Sequence, residues 1–188
     1  TGASRGIGRA AAGLLAQNGW QVVVNYHRSK SGAYSLVTEL TMAGLDAIAV
    51  RADVSDRAQV EAMVQEANSR FGGVDLLVNN AGIARQRLFT DIPAEEWQHL
   101  FDVNVTGMFH CCQCVLPQMI RRHSGKIINI SSIWGMTGAS CEVAYSSTKA
   151  AVIGLTRALA KEVGPSSIQV NCIAPGVIDT DMNEDLDA

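Results

Sequence analysis

Five short apolar runs separated by helix-like stretches constrain this chain more than any other feature. The runs are Gln21 to Tyr26, Ala47 to Val50, Val74 to Val78, Lys126 to Ile130 and Ile168 to Ile173. They do not alternate polar with apolar, as a half-solvated strand would; Val22-Val23-Val24 is the centre of the first. Such runs suit strands buried on both faces. The intervening stretches carry helical spacing and helix stops. They are Arg9 to Asn18, closed by Gly19; Ser31 to Ala43, closed by Gly44; and Ser55 to Phe71, with Ser55 as N-cap and Gly72-Gly73 as stop. Two more follow: Pro93 to Arg122, interrupted near Asn104 or Gly107, and Tyr145 to Val163, ended by Gly164-Pro165. The alternation predicts an α/β fold, a doubly wound parallel sheet in one domain.

Composition agrees with that expectation. The chain has 188 residues, 47 % hydrophobic and 18 % charged, enough for one substantial core. No apolar run has the length needed to span a bilayer. A net charge of −3 gives no basic surface for nucleic acid or anionic lipid. Cys111, Cys112 and Cys114 crowd together, Cys141 and Cys172 stand apart, and no C-x-x-C pair occurs. His110 and Cys114 could share a helix face and hold a metal, but small buried thiols explain the cluster more simply, so no metal is expected. Reduced thiols, with no signal peptide at the start, suit a cytoplasmic protein.

The first residues, Thr1-Gly2-Ala3-Ser4-Arg5-Gly6-Ile7-Gly8, have the spacing T-G-x-x-x-G-x-G and run into a helix and then an apolar strand. Glycines allow a tight turn and let backbone approach phosphate closely. The helix that follows points its free N–H groups at the anion. In dinucleotide sites an acid at the end of the next strand binds the ribose hydroxyls. Here the window is Asn25-Tyr26-His27-Arg28, without a carboxylate. Arg28 and Arg5 would attract a 2′-phosphate, so NADP(H) is expected, against the plainer reading of two surface arginines. Asp53 either receives the adenine amino group or caps the next helix. Asn79-Asn80-Ala81-Gly82, at the end of an apolar strand, fits either a ligand crevice or a hydrogen-bonded turn. Asn104, among Phe101, Val103 and Val105, needs partners if buried; it would hold a kink and a water, or cap the helix.

Tyr145 and Lys149 stand four apart on a helix and so share a face. A phenol titrates near 10; a nearby ammonium would favour the phenolate and bring it toward neutral pH, fit to pass a proton. Ser131 and Ser132, at the end of an apolar run, are candidates to assist, and spacing does not choose between them.

These motifs, taken in order, carry a resemblance. The chain resembles the short-chain dehydrogenase/reductase family over essentially its whole length, on Thr1 to Gly8, Asp53-Val54, Asn79 to Gly82, Asn104, Ser132, Tyr145-x-x-x-Lys149 and Pro175-Gly176 with Thr180. Within that family it is most similar to the 3-oxoacyl-acyl-carrier-protein reductases. The stretch Trp134 to Tyr145 is also similar to a branch of elongation factor P 5-aminopentanone reductases, and a non-catalytic dinucleotide sensor is a third alternative.

The resemblance implies reduction of a ketone by NADPH. Tyr145 would be the general acid, Lys149 would lower its pKa and bind the nicotinamide ribose, and Ser132 would hold the carbonyl. Asn104 would hold a relay water, and Pro175, Gly176 and Thr180 the carboxamide. Gly2, Ser4, Arg5, Gly6, Ile7, Gly8, Arg28, Asp53, Val54, Asn80, Ala81 and Gly82 would complete the cofactor site. It further implies acyl carrier protein as a possible partner, a homotetramer, a mid-sheet strand before Thr1, and a lid, helix and strand after Ala188. The stretch Thr1 to Ala188 alone is therefore expected to lack a cooperative melt.

Overall fold

The structure, a computed structural model, describes residues 1–180. In chain order the main elements are α1 (Gly6–Gln17), β1 (Val22–Tyr26), α2 (Lys30–Met42), β2 (Ala47–Arg51), α3 (Arg57–Phe71) and β3 (Leu76–Asn79). Then come α4 (Ala94–Phe101), a π-helical turn at Asp102–Thr106, α5 (Gly107–Arg122), β4 (Gly125–Ile130), α6 (Trp134–Thr137), α7 (Val143–Val163) and β5 (Ile168–Ile173). All strand pairs are parallel, in a Rossmann-like arrangement. No helix of the described residues is long and apolar enough to cross a membrane.

The boundaries differ from the sequence reading in instructive ways. The interruption near Asn104 is a π turn, in which the Gly107 N–H reaches back to the Asp102 carbonyl. The cap of α3 is Asp56, not Ser55: its Oδ1 accepts from the N–H groups of Ala58 and Gln59 at 2.9 and 3.3 Å. Ser55 is drawn away because its N–H and hydroxyl both donate to Asp53 Oδ1. Helix α6 and a 3-10 turn at Phe89–Asp91 were not expected; both are too short to show periodicity.

The sheet is also not continuous. β1 pairs with β2, and β3 with β4 and β5, but β1 and β3 do not pair with each other. The first residues of the chain lie between them. The Thr1 amino group donates to the Val78 carbonyl at 2.6 Å, and the Ala3 N–H to the Asn25 carbonyl at 2.8 Å. Beyond them an apolar-walled cavity of about 710 Å³ separates β1 from β3. Two cores follow from this division. One joins α1, α2, β1 and β2 through Ala12, Val24, Leu36 and Leu40; the other joins α3, α5, α7 and β3 to β5 through Val60, Met119, Ile127 and Val152.

The second core positions the site. Along α7 the buried residues Ala144, Thr148, Val152 and Thr156 recur every fourth position, one stripe of the helix. Under that stripe runs a chain of buried amides: Asn79 Nδ2 donates to Asn129 Oδ1, and Asn129 Nδ2 to Thr156 Oγ1, both at 2.9 Å. These bonds set the register of α7 on the strands, and with it the height at which Tyr145 and Lys149 emerge.

Candidate active site

Two walls face each other at the C-terminal ends of the strands. The first is the glycine loop. Gly2 and Gly6 adopt left-handed backbone, φ 61° and 52°, which L side chains rarely tolerate. Gly8 has a different reason: a Cβ there would lie 2.3 Å from the Gly2 carbonyl oxygen and 2.5 Å from Asn80 Nδ2. Helix α1 starts at Gly6 with no side-chain cap and no acid in its first turn. No N-cap side chain among the described residues accepts from the first N–H groups of this 12-residue helix, and the loop fits a phosphate. Ser4 supports the neighbouring helix, because a Cβ on Gly32 of α2 would come 2.5 Å from the Ser4 carbonyl oxygen.

Asn80 and Ala81 hold this wall in place. Asn80 Nδ2 donates to the carbonyls of Thr1 and Gly2, each at 3.1 Å, and the N–H groups of Asn80 and Ala81 donate to Thr1 Oγ1 at 3.1 and 3.0 Å. From the other side Asn25 Oδ1 accepts the Gly2 N–H at 3.0 Å. The hydrogen-bonded turn is therefore real, and the Asn80 amide is engaged in it.

At the far end of the wall Arg28 is exposed just past β1, and Arg5 is exposed at the start of α1. Asp53 does not cap α3; it closes a turn on Ser55, while its Oδ2 lies 3.5 Å from His27 Nδ1. Burial pushes the Asp53 carboxyl up, but its bonds from Ser55 and the nearby His27 and His99 together hold it below the usual range. Val54 is buried against Gly107, and its carbonyl meets His110 Nδ1 at 3.1 Å. Among the described residues no group of three His, Cys, Asp or Glu is gathered as a metal site.

The second wall is α7 with the end of β4. A cleft of about 510 Å³ is lined by Ser132, Tyr145 and Lys149 on this side, and by Ile7, Asn80 and Gly82 on the other; Pro175, Gly176 and Thr180 close its edge. Thr180 reaches the glycine loop, its Cγ2 lying 3.4 Å from where a Cβ on Gly6 would be. Lys149 is 4 % exposed; its Nζ donates to the Ile130 carbonyl at 2.9 Å and stands 5.5 Å from the centre of the Tyr145 ring. Burial lowers the Lys149 pKa to about 8.

One expectation fails here. The Tyr145 phenol is not drawn down by the ammonium: burial pushes it up, the Ser132 hydroxyl beside it works the other way, and Glu142 adds to the rise. Desolvation outweighs the hydrogen bond, and Lys149 gives its ammonium to Ile130 rather than to the phenol.

The two serines separate cleanly. Ser131 Oγ donates to the Lys149 carbonyl at 2.7 Å, a bond that ties β4 to α7. Ser132 Oγ accepts the Trp134 N–H at 3.2 Å and its hydroxyl is hydrogen-bonded to the Tyr145 phenol, at the mouth of the cleft. Asn104 is 1 % exposed: Nδ2 donates to the Ile83 carbonyl and Thr148 Oγ1, and Oδ1 accepts the Ile83 N–H. Both amide hydrogens are thereby engaged, and one Oδ1 lone pair is left. Gly82 lies between Asn104 and Lys149, since a Cβ there would be 3.2 Å from Asn104 Oδ1 and 3.5 Å from Lys149 Nζ.

The cleft thus gathers nine of the residues that the resemblance assigned, and Ser131 beside them. Gly2, Ser4, Arg5, Gly6, Gly8, Arg28, Asp53, Val54, Ala81 and Asn104 lie outside its lining. One residue the sequence reading passed over lines it too, Glu142, which is 8 % exposed. The signal was present, as Glu142 is the one charged residue between Trp134 and Thr148.

This arrangement has known counterparts. The family model for short chain dehydrogenase matches residues 1–188. The 3-oxoacyl-acyl-carrier-protein reductase of Staphylococcus aureus is 47 % identical over 186 residues, 99 % of this chain and 76 % of the relative. The enzyme of the same name from Synechocystis is 45 % identical over 188 residues, 100 % of this chain and 76 % of the relative. That of Chlamydia muridarum is 42 % identical over 189 residues, 99 % and 75 % of the two chains. A parallel sheet, an uncapped helix behind a glycine turn, and a tyrosine and lysine on one helix face across the cleft agree with what the matches say: the chain belongs to the short-chain dehydrogenase family of nicotinamide-dependent oxidoreductases.

Proposed function

We propose that the protein reduces a ketone to a secondary alcohol with NADPH, and that the ketone is a 3-oxoacyl thioester on acyl carrier protein, as the relatives' names suggest. The observation that carries this reading is the gathering of Ser132, Tyr145 and Lys149 in one cleft whose other wall is the glycine loop. Tyr145 gives its proton to the carbonyl oxygen; its raised pKa keeps it in the protonated form at neutral pH. Ser132 donates a hydrogen bond to the same oxygen as charge develops on it. Lys149, buried and anchored on Ile130, binds the ribose next to the nicotinamide and restores the proton through water held near Asn104. Bound nicotinamide supplies the hydride to the carbonyl carbon, so that ketone, NADPH and one proton become alcohol and NADP⁺.

NADPH rather than NADH is supported by exposed Arg28 just past a strand end with no carboxylate, and by exposed Arg5 at the start of α1. Asp53, the acid nearest that strand end, is turned to Ser55 and His27. A second reading, reduction of the aminopentanone on a modified lysine of elongation factor P, is favoured by one observation, the carboxyl of Glu142 in the cleft. The test is NADPH oxidation by the full-length protein with acetoacetyl thioesters, simple diketones and the modified factor, repeated with NADH. Turnover of a thioester with NADPH preferred is expected. Tight NADPH binding without oxidation by any ketone would instead mark a dinucleotide sensor.

A further inference from the structure

Glu142 stands at the start of α7, in the same cleft as Ser132 and Tyr145, and its surroundings are those of a neutral acid. Its residue is 8 % exposed, and its Oε2 is shielded from water without a hydrogen-bond partner. The group that does reach the carboxyl is the neutral amide of Gln86. Ser146 lies one helical turn on, a spacing at which side chains meet, yet its hydroxyl is shielded and unbonded too. An ionised carboxylate only accepts, and would gather such donors.

No cation balances it either. On α7 itself Lys149 is anchored on Ile130, and on the cleft rim Arg85 is exposed. Arg87, whose N–H donates to the Cys141 carbonyl, gives its guanidinium to Glu96. Helix α6, packed on α7, has no titratable residue. The other elements packed on α7 bring Glu95, Glu96 and His99 of α4, Asp102 of the π turn, Lys126 of β4 and Cys172 of β5. Glu142 forms no ion pair with any of them among the described residues. A charge withdrawn from water without a counter-charge costs far more than a neutral carboxyl does. Burial accordingly pushes this carboxyl up, against the opposite pull of Gln86.

We propose that Glu142 is a positioning residue that works in its protonated, neutral form, and that its ionisation at higher pH holds the proton on Tyr145 and slows the reduction. This rests on the ketone-reductase reading. During reduction Tyr145 passes its proton to the carbonyl oxygen and is left a phenolate, while Glu142 keeps its own proton throughout. A negative charge on Glu142, three residues before the phenol on the same helix, opposes that phenolate. A neutral Glu142 does not.

The test is kcat/KM of the full-length protein for an uncharged thioester, acetoacetyl-N-acetylcysteamine, with NADPH, from about pH 5.5 to about pH 9. The ratio of Glu142→Gln to wild type cancels any titration of the substrate, and any limb due to Lys149, whose pKa is about 8. That ratio is expected to rise with pH by about three- to tenfold, since one pKa unit on a general acid is worth at most about tenfold in rate. Glu142→Met, which also removes the bond to Gln86, should show the same rise, because charge and not shape is at issue. A ratio that stays constant with pH, whatever its size, would overturn the proposal. If no ketone is reduced, the reductase reading fails, and thermal melting over the same pH range still decides whether Glu142 is neutral. A carboxyl whose pKa is raised by burial costs stability as pH rises toward that pKa, so wild type should melt progressively lower than Glu142→Gln. A constant difference between the two melting points rejects the neutral form.

Discussion

The glycine-loop wall keeps its shape with backbone and small residues, whereas the Tyr145 wall keeps it with buried polar side chains. On the first, Gly8 fits under Gly2 because it has no Cβ, and Asn80 staples the loop to β3 through two carbonyls. The Asn80 and Ala81 polar groups are paired within the protein, and exposed Arg5 and Arg28 stand at its far end. On the second, Lys149, Tyr145 and Glu142 are all titratable and buried, and each is shifted by desolvation. The first wall is shaped by backbone constraint and is proposed to take the cofactor's phosphates. The second carries titratable groups shifted by burial, as expected where protons must move.

The largest break in this contrast should come from Tyr145→Phe. Removing a general acid lowers kcat by about 10²- to 10⁴-fold, and NADPH affinity, measured by fluorescence titration, should persist because the glycine wall is intact. Retained turnover would remove Tyr145 from the chemistry. Next is the serine pair: Ser132→Ala should lower kcat by about 10²-fold as a lost carbonyl donor. Ser131→Ala should instead show itself in thermal melting, with a loss of about 1 kcal/mol for its bond to Lys149. The reverse pattern would mean that the assignment of the two hydroxyls is inverted.

On the glycine wall, Gly8→Ala forces a methyl to 2.3 Å from a backbone oxygen and should destabilise by about 1–3 kcal/mol while weakening NADPH binding. A variant that melts like wild type would show that the loop can yield. The Lys149 pKa, lowered from its usual 10.5 to about 8, adds a pH test. Between those values the unfolded chain binds more protons than the folded one, so this residue's contribution to stability rises with pH from about 8; below 8 its burial cost is constant. Lys149→Met should therefore melt higher than wild type at pH 7, with the gap narrowing toward pH 9.5. A constant gap would place the lysine in solvent. Smallest of all, Asp56→Ala should cost about 1 kcal/mol through the cap of α3 and leave the cofactor affinity alone.

How far the sequence reading carried depended on the kind of signal. Strand and helix identities were legible because the strands are short apolar runs and the helices longer stretches with helical spacing and stops, and the break near Asn104 was legible as a polar residue in an apolar helix. The glycine turn, the Tyr145–Lys149 face and the lack of an acid after β1 were equally plain. Ser131 and Ser132 could not be told apart, because both line the cleft and only their partners, the Lys149 carbonyl for one and the Tyr145 phenol for the other, distinguish them. Asp56 displaced Ser55 as cap for a similar reason: which oxygen reaches the free N–H groups depends on what Asp53 already holds. Glu142 looked like one more surface acid.

By itself the sequence determined the parallel α/β architecture, the anion-binding turn and the pairing of a phenol with an ammonium on one helix face, since these follow from local spacing and backbone freedom. Only the tertiary structure decided that Ser131 is bonded to Lys149 while Ser132 lies against the phenol, that the Asn80 amide is turned to the loop, and that burial lifts the Tyr145 phenol while lowering the Lys149 ammonium. The reason is that hydrogen-bond partners and desolvation come from residues distant along the chain, and no local pattern records them.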